Sequence, residues 1–167
     1  MRSSLIPPPV WMLIFGAAMW VLHLTHPALA VIPTRWTQLG WLVMAIAPIA
    51  PLAAFIQFSR AHTTVNPHKP DAATTLVTSG VYAWTRNPMY LGLSIVLLGW
   101  AIKLGTLSSL WGPVLFVPLI RFVQIGPEED ALRRRFPNEY ETYRQTVNRW
   151  FGRSRSRTRS GTGAPRS

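Results

Sequence analysis

An all-α fold with several membrane passes follows from three observations on the sequence. Nearly half of the 167 residues are hydrophobic and only 14% are charged. The apolar residues gather into four long runs, 5–24, 39–58, 88–104 and 110–125, in which charges are almost absent, and a helix crosses a bilayer with about 20 such residues. The formal net charge is +11, and every charged residue except Lys103 and Arg121 sits outside those runs, in the flanking and connecting segments and the C-terminal tail. A basic balance of this kind fits attraction to anionic lipid and the positive-inside rule better than a nucleic-acid stripe, so no nucleic-acid partner is expected. The chain has no Cys, which excludes disulfides, thiolate nucleophiles and Cys-based metal sites.

The first run, Leu5–Leu24, is uncharged and opens with Pro7-Pro8-Pro9, which delays helix onset to about Pro9. A cleavable leader competes here, with Arg2 ahead of the apolar stretch and Ala28-Leu29-Ala30 after it. The length of the apolar stretch, and His23, His26 and Pro27 before the cut, favour a retained helix. The two His residues, three apart at a membrane edge, read as interfacial rather than metal-binding, and no metal site is expected. The second run, Leu39–Phe58, is a clear span that Pro48 and Pro51 should kink. Arg60, His62, His68 and Lys69 follow within a polar loop.

The third span is Pro88–Leu104. A tight turn at Gly105-Thr106 and Ser108-Ser109 returns the chain as the fourth, Leu110–Ile125, so the two should form a hairpin. Arg121 falls inside that fourth run. A charge there costs about 2.5–3.5 kcal/mol on insertion scales, so it must snorkel or face the bundle interior, which makes it a site candidate. The basic segments after the second span and at the C-terminus should both be cytoplasmic, giving four spans with both termini inside. Pro127–Phe136 and Asn138–Arg149 read as two short helices broken at Pro137. Leu132, Phe136, Tyr140, Tyr143 and Val147 recur every three or four residues and form one apolar face. Residues 1–150 are therefore the membrane domain, and the Arg-rich remainder, 151–167, is expected to be disordered and to touch anionic lipid.

The stretch with the densest chemistry is Leu76–Gly92, LVTSGVYAWTRNPMYLG. Asn87 is a good N-cap and Pro88 suits the first helical position. A helix starting there turns its free N–H groups and positive dipole end toward the preceding loop, a place for an anionic group such as a carboxylate. Tyr82, Trp84, Arg86 and Tyr90 surround it. On composition alone the stretch also fits an interfacial connector with aromatics at headgroup depth.

The pattern G-V-Y-A-W-x-R-x-P-x-Y-x-G, preceded by L-V-T-S, resembles the signature of the isoprenylcysteine carboxyl methyltransferase and phospholipid methyltransferase family. These are integral-membrane enzymes that use S-adenosyl-L-methionine. The resemblance resumes at Glu128-Glu129 and runs through Leu132, Phe136, Tyr140 and Tyr143 to Val147, covering about residues 60–150. It implies an S-adenosyl-L-methionine-dependent enzyme that methylates a lipophilic acceptor: an isoprenylcysteine-like carboxylate, a lipid amine or another small apolar molecule. It implies cofactor contacts from Asn87, Pro88, Met89 and Tyr90, with Tyr82 beside them, and main-chain contacts from Thr74, Thr75, Leu76 and Val77. Glu128, which otherwise reads as a first-turn carboxylate facing a helix dipole, becomes a cofactor ligand. Arg86 belongs to the motif either as a ligand contact or as a support for the loop. Arg121 and Glu129 are the candidate catalytic residues.

Two departures bear on the acceptor. Asn87 stands where the family often has His, so no general base is assigned there. Gln124 stands where the prenylcysteine enzymes place an Arg for the substrate carboxylate, and Arg121, one turn earlier, is the candidate substitute. The rival readings are an NADPH-dependent membrane reductase and a non-catalytic membrane scaffold.

Overall fold

The computed structural model describes residues 6–26, 30–60 and 75–153. Thr74, most of the polar loop after the second span, and the Arg-rich tail beyond Arg153 with its expected lipid contacts lie outside the described residues. Among the described residues all the regular elements are helices: α1 (Pro8–Thr25), α2 (Thr34–Thr37), α3 (Leu39–Ile46), α4 (Ile49–Arg60), α5 (Pro88–Leu104), α6 (Trp111–Ile120), α7 (Gly126–Arg135) and α8 (Pro137–Thr146). Single 3-10 turns at Gly80–Ala83 and Leu107–Leu110 and a π-helical turn at Arg121–Ile125 connect them.

Among the described residues three helical stretches are long and apolar enough to cross a membrane: Pro8–Thr25, Thr34–Gln57 and Leu107–Arg135. The fourth expected span, α5, is apolar but shorter at 17 residues. At 1.5 Å per residue it is about 25 Å long, against a hydrocarbon core of about 30 Å. α5 is the central helix, packing against α1, α3, α4 and α6. Its buried Tyr90, Leu97, Ala101 and Leu104 meet Met19 of α1 and Phe116, Ile120 and Ile125 of the last long stretch. The outer faces, with Leu13, Trp41, Leu42, Leu52, Phe55 and Leu115, stay exposed, as a lipid-facing surface requires.

The second span is bent as expected. The break is at Ala47-Pro48, and Pro51 falls in the first turn of α4, where its missing N–H costs least. Neither proline can donate to the preceding turn, and Gly92 of α5 closes on the freed Ala47 carbonyl. The expected boundary at Pro127 differs. Helix α6 runs through the π turn into α7 without a break, the Gly126 N–H donating to Arg121 O. This five-residue reach lets the helix absorb Pro127, which has no N–H of its own to give. The helical pair α7–α8 breaks at Phe136-Pro137, and α8 ends at Thr146 because Val147 turns extended. Residues 151–153, expected in the tail, are bonded to the domain: Gly152 N donates to Trp84 O (2.7 Å), and Arg153 pairs with Val147.

Helices α3 and α5 approach so closely that a Cβ on Gly40 would lie 2.4 Å from Gly99 O, and one on Gly99 would lie 2.8 Å from Gly40 O. Backbone atoms cannot move aside as a side chain can. Gly40→Ala or Gly99→Ala should therefore destabilise the bundle by about 1–3 kcal/mol, the usual cost of overpacking. Gly16→Ala, with nothing within 4 Å, should be neutral or slightly stabilising. Thermal unfolding of the three variants in detergent checks the contrast.

Candidate active site

The chain enters the site through Leu76 and Val77, both half-buried, and turns at Gly80, whose φ of +59° suits glycine. The Gln57 side chain of α4 fills the space where a Cβ would stand at Gly80. The turn buries Tyr82 against Ala54, Tyr140, Tyr143 and Val147, with Leu132 and Phe136 packed alongside. The apolar face expected on α7 and α8 thus covers the loop rather than lying free. Tyr143 OH donates to Tyr82 O at 2.7 Å. Burial pushes the Tyr140 phenol up to about 12 and raises Tyr82 and Tyr143 as well, so all three stay protonated at neutral pH.

Asn87 occupies the N-cap position of α5, but its side chain makes no capping bond. Its Nδ2 donates instead to Arg149 O (3.2 Å), and its backbone N–H donates to Thr85 Oγ1 (3.1 Å). Thr85 is buried, and its hydroxyl donates in turn to Arg149 O (3.2 Å). The expected cap is therefore overruled by a partner 62 residues away. The first turn of α5 keeps its N–H groups clear of that side chain.

Successive residues on a helix point about 100° apart, and this separates the two glutamates of α7. Glu128 turns to α5 and accepts a short hydrogen bond from Tyr90 OH. Glu129, whose side chain is only 7% exposed, turns to the loop and is held by two arginines. Arg149 grips it through both ends, Nε to Oε1 at 2.9 Å and Nη2 to Oε2 at 2.5 Å. Arg86 Nη1 stands 3.3 Å from Oε1 and also donates to Tyr140 OH (3.1 Å). Arg86 Nε is buried without a hydrogen-bond partner among the described residues.

The structure thus brings together Tyr82, Arg86, Asn87, Pro88, Tyr90, Glu128 and Glu129. It leaves others apart. Met89 is exposed on α5. Thr75 and Leu76 line a separate cleft of about 710 Å³ beside Phe136, Thr142 and Tyr143. Arg121 and Gln124 do not share a face. Arg121 is exposed, with its guanidinium 5.7 Å from the Phe122 ring centre, whereas Gln124 is buried and donates to Ile6 O at 2.8 Å. The wider turn of the π segment separates positions that an α-helix would align. Two participants are not marked by the sequence, Thr85 and Arg149, which bond each other 64 residues apart, while Arg149 also bonds Glu129 20 residues away.

Removing the Glu129 carboxylate leaves two guanidiniums without their acceptor. Glu129→Ala should cost about 3–5 kcal/mol, as breaking a buried pair does. Glu141→Ala, which breaks the exposed pair with Arg144, should leave the melting temperature within error. Both are read from thermal unfolding of the detergent-solubilised protein.

Comparison with known proteins bears on this arrangement. The family model for phospholipid methyltransferase matches residues 35–139. An uncharacterized protein of Haemophilus influenzae is 40% identical over 63 residues, which are 38% of this chain and all of that protein. Protein-S-isoprenylcysteine O-methyltransferase of Rattus norvegicus is 33% identical over 116 residues, 67% of this chain and 40% of that protein. Its counterpart in Mus musculus is 35% identical over 97 residues, 57% of this chain and 33% of that protein. The chain thus spans less than half the length of these two methyltransferases. With most of its helical bundle and its Glu pair inside the matched region, the chain belongs to the phospholipid methyltransferase family, a family of methyl-transferring enzymes.

Proposed function

We propose that the chain moves a methyl group from S-adenosyl-L-methionine to a lipophilic acceptor that arrives from the bilayer. The cofactor would sit where the Gly80–Asn87 loop, the start of α5 and α7 meet. The observation that carries this reading is the division of labour in the Glu pair: Glu129 is neutralised by Arg86 and Arg149, while Glu128 meets the Tyr90 hydroxyl and no cation is bonded to it among the described residues.

The groups present fit a ligand with a zwitterionic end. A carboxylate is matched by the uncapped N–H groups at the start of α5, which the helix dipole reinforces, and by the buried Arg86 Nε. A ligand ammonium or ribose hydroxyl is matched by Glu128, which Tyr90 orients. Tyr82 gives an aromatic wall, and the half-buried Val77 beside it would supply a main-chain contact to the adenosine part. When bound, the cofactor supplies an already activated methyl that passes to an acceptor lone pair while sulfur keeps the bonding electrons. What remains for the protein is to hold, align and exclude water. Glu129, with both oxygens engaged, is a brace and not a reagent, and Arg121, exposed over Phe122, is left out of the machinery. The site and both termini would face the cytoplasm, by the placement of basic residues.

Calorimetric titration of the detergent-purified protein with S-adenosylhomocysteine, against NADPH as comparison, tests the reading. Saturable binding of S-adenosylhomocysteine alone is expected, and Glu128→Ala should abolish it while the melting curve persists. Binding of NADPH alone, or of neither by folded protein, overturns it.

A further inference from the structure

The segment Val147–Arg153 lies across the site like a strap, and its bonds converge on one short stretch. Asn148 O accepts from Arg86 N at 3.2 Å, Gly152 N donates to Trp84 O at 2.7 Å, and the Phe151 ring lies against Trp84. Arg149 stands in the middle and acts through two different groups. Its carbonyl holds the side chains of Thr85 and Asn87, and its guanidinium holds both oxygens of Glu129. One residue thus fixes two elements, the cap position of α5 and the first turn of α7.

We propose that Arg149 is a positioning residue for the amino-acid end of the bound cofactor. This rests on the reading of the site given above. Asn87 prefers to cap the helix that follows it, and a capping Asn87 would take the N–H groups a ligand carboxylate needs. The Arg149 carbonyl draws its amide away. A loose Glu129 would be a second anion beside Glu128, repelling the ligand carboxylate and competing for its ammonium. The Arg149 guanidinium takes both of its oxygens, which the single longer contact from Arg86 does not. Arg149 touches no ligand in this scheme; it keeps two neighbours from occupying or disturbing the ligand's place.

The proposal predicts a loss confined to one end of the ligand. S-adenosylhomocysteine carries the amino-acid end and 5′-methylthioadenosine lacks it, so the two are titrated into the full-length protein and its variants. For Arg149→Ala, which removes the guanidinium but leaves the main-chain carbonyl on Asn87, the Kd for S-adenosylhomocysteine should rise about tenfold to a hundredfold, as the loss of a charged hydrogen-bond partner does. The Kd for 5′-methylthioadenosine should stay within about twofold, close to no change in free energy. Arg149→Lys, which keeps the charge but not the two-pronged grip, should fall between wild type and Arg149→Ala and serves if the Ala variant does not fold. Phe151→Ala thins the same strap without touching Glu129 or Asn87 and should bind both ligands as wild type does. Equal losses for both ligands, or none for either, overturn the inference while the cofactor reading stands. Failure of the wild type to bind S-adenosylhomocysteine overturns both.

Discussion

Glu129 has almost no access to water, and its negative charge is tolerated only because two guanidiniums meet it. Stripping a carboxylate of water costs several kcal/mol, which a partner offsets only with good geometry and further hydrogen bonds. Here Arg149 supplies the geometry, Arg86 a second contact, and Tyr140 a further partner for Arg86. These residues belong to the loop before α5 and to three consecutive segments far beyond it in the chain, α7, α8 and the strap after α8. Ion pairing of this quality exists only when all four are in place, so the folded site is close to all-or-none. The same contacts brace the turn of α7 that carries Glu128 beside Tyr90, while the Arg149 carbonyl keeps the Asn87 amide off the helix terminus.

The membrane helices make that convergence possible. α5 is short and lies amid its neighbours, and small residues at Gly40, Gly92 and Gly99 let backbones touch where no side chain would fit. In lipid, helices associate through such close packing because apolar burial drives little between them. The kink at Ala47-Pro48 and the π turn at Arg121–Ile125 then redirect the ends of two long helices. The kink seats α4 against Gly92 and the Gly80 turn, and the π turn carries α7 onward so that Glu128 faces α5 and Glu129 faces the loop.

Much of this was legible in the sequence. The spans followed from apolar length, α5 was readable to its ends because Pro88 opens it and Gly105 closes it in a left-handed conformation, and the face Leu132–Val147 followed from its period. The family pattern drew attention to Arg86, Asn87, Tyr90 and Glu128. What was not legible depended on contacts between distant residues. The preference of Asn87 for capping is local, and a carbonyl 62 residues on overrides it. The alignment of Arg121 with Gln124 assumed a regular helix, and nothing in a single sequence marks a π turn. Arg149 looked like the end of an amphipathic helix, because its meaning lies in Glu129 and Asn87 and not in its neighbours.

The central claim is that the ligand sits where the Tyr82–Tyr90 stretch meets the first turn of α7, with the strap bracing both from behind. Hydrogen exchange of the detergent-solubilised protein, with and without S-adenosylhomocysteine, tests it most directly, since exchange reports local opening segment by segment. The account predicts new protection in 82–91, 126–132 and 147–153, with the outer part of α1 unchanged. Protection confined to other segments, or none under saturating ligand, would contradict it.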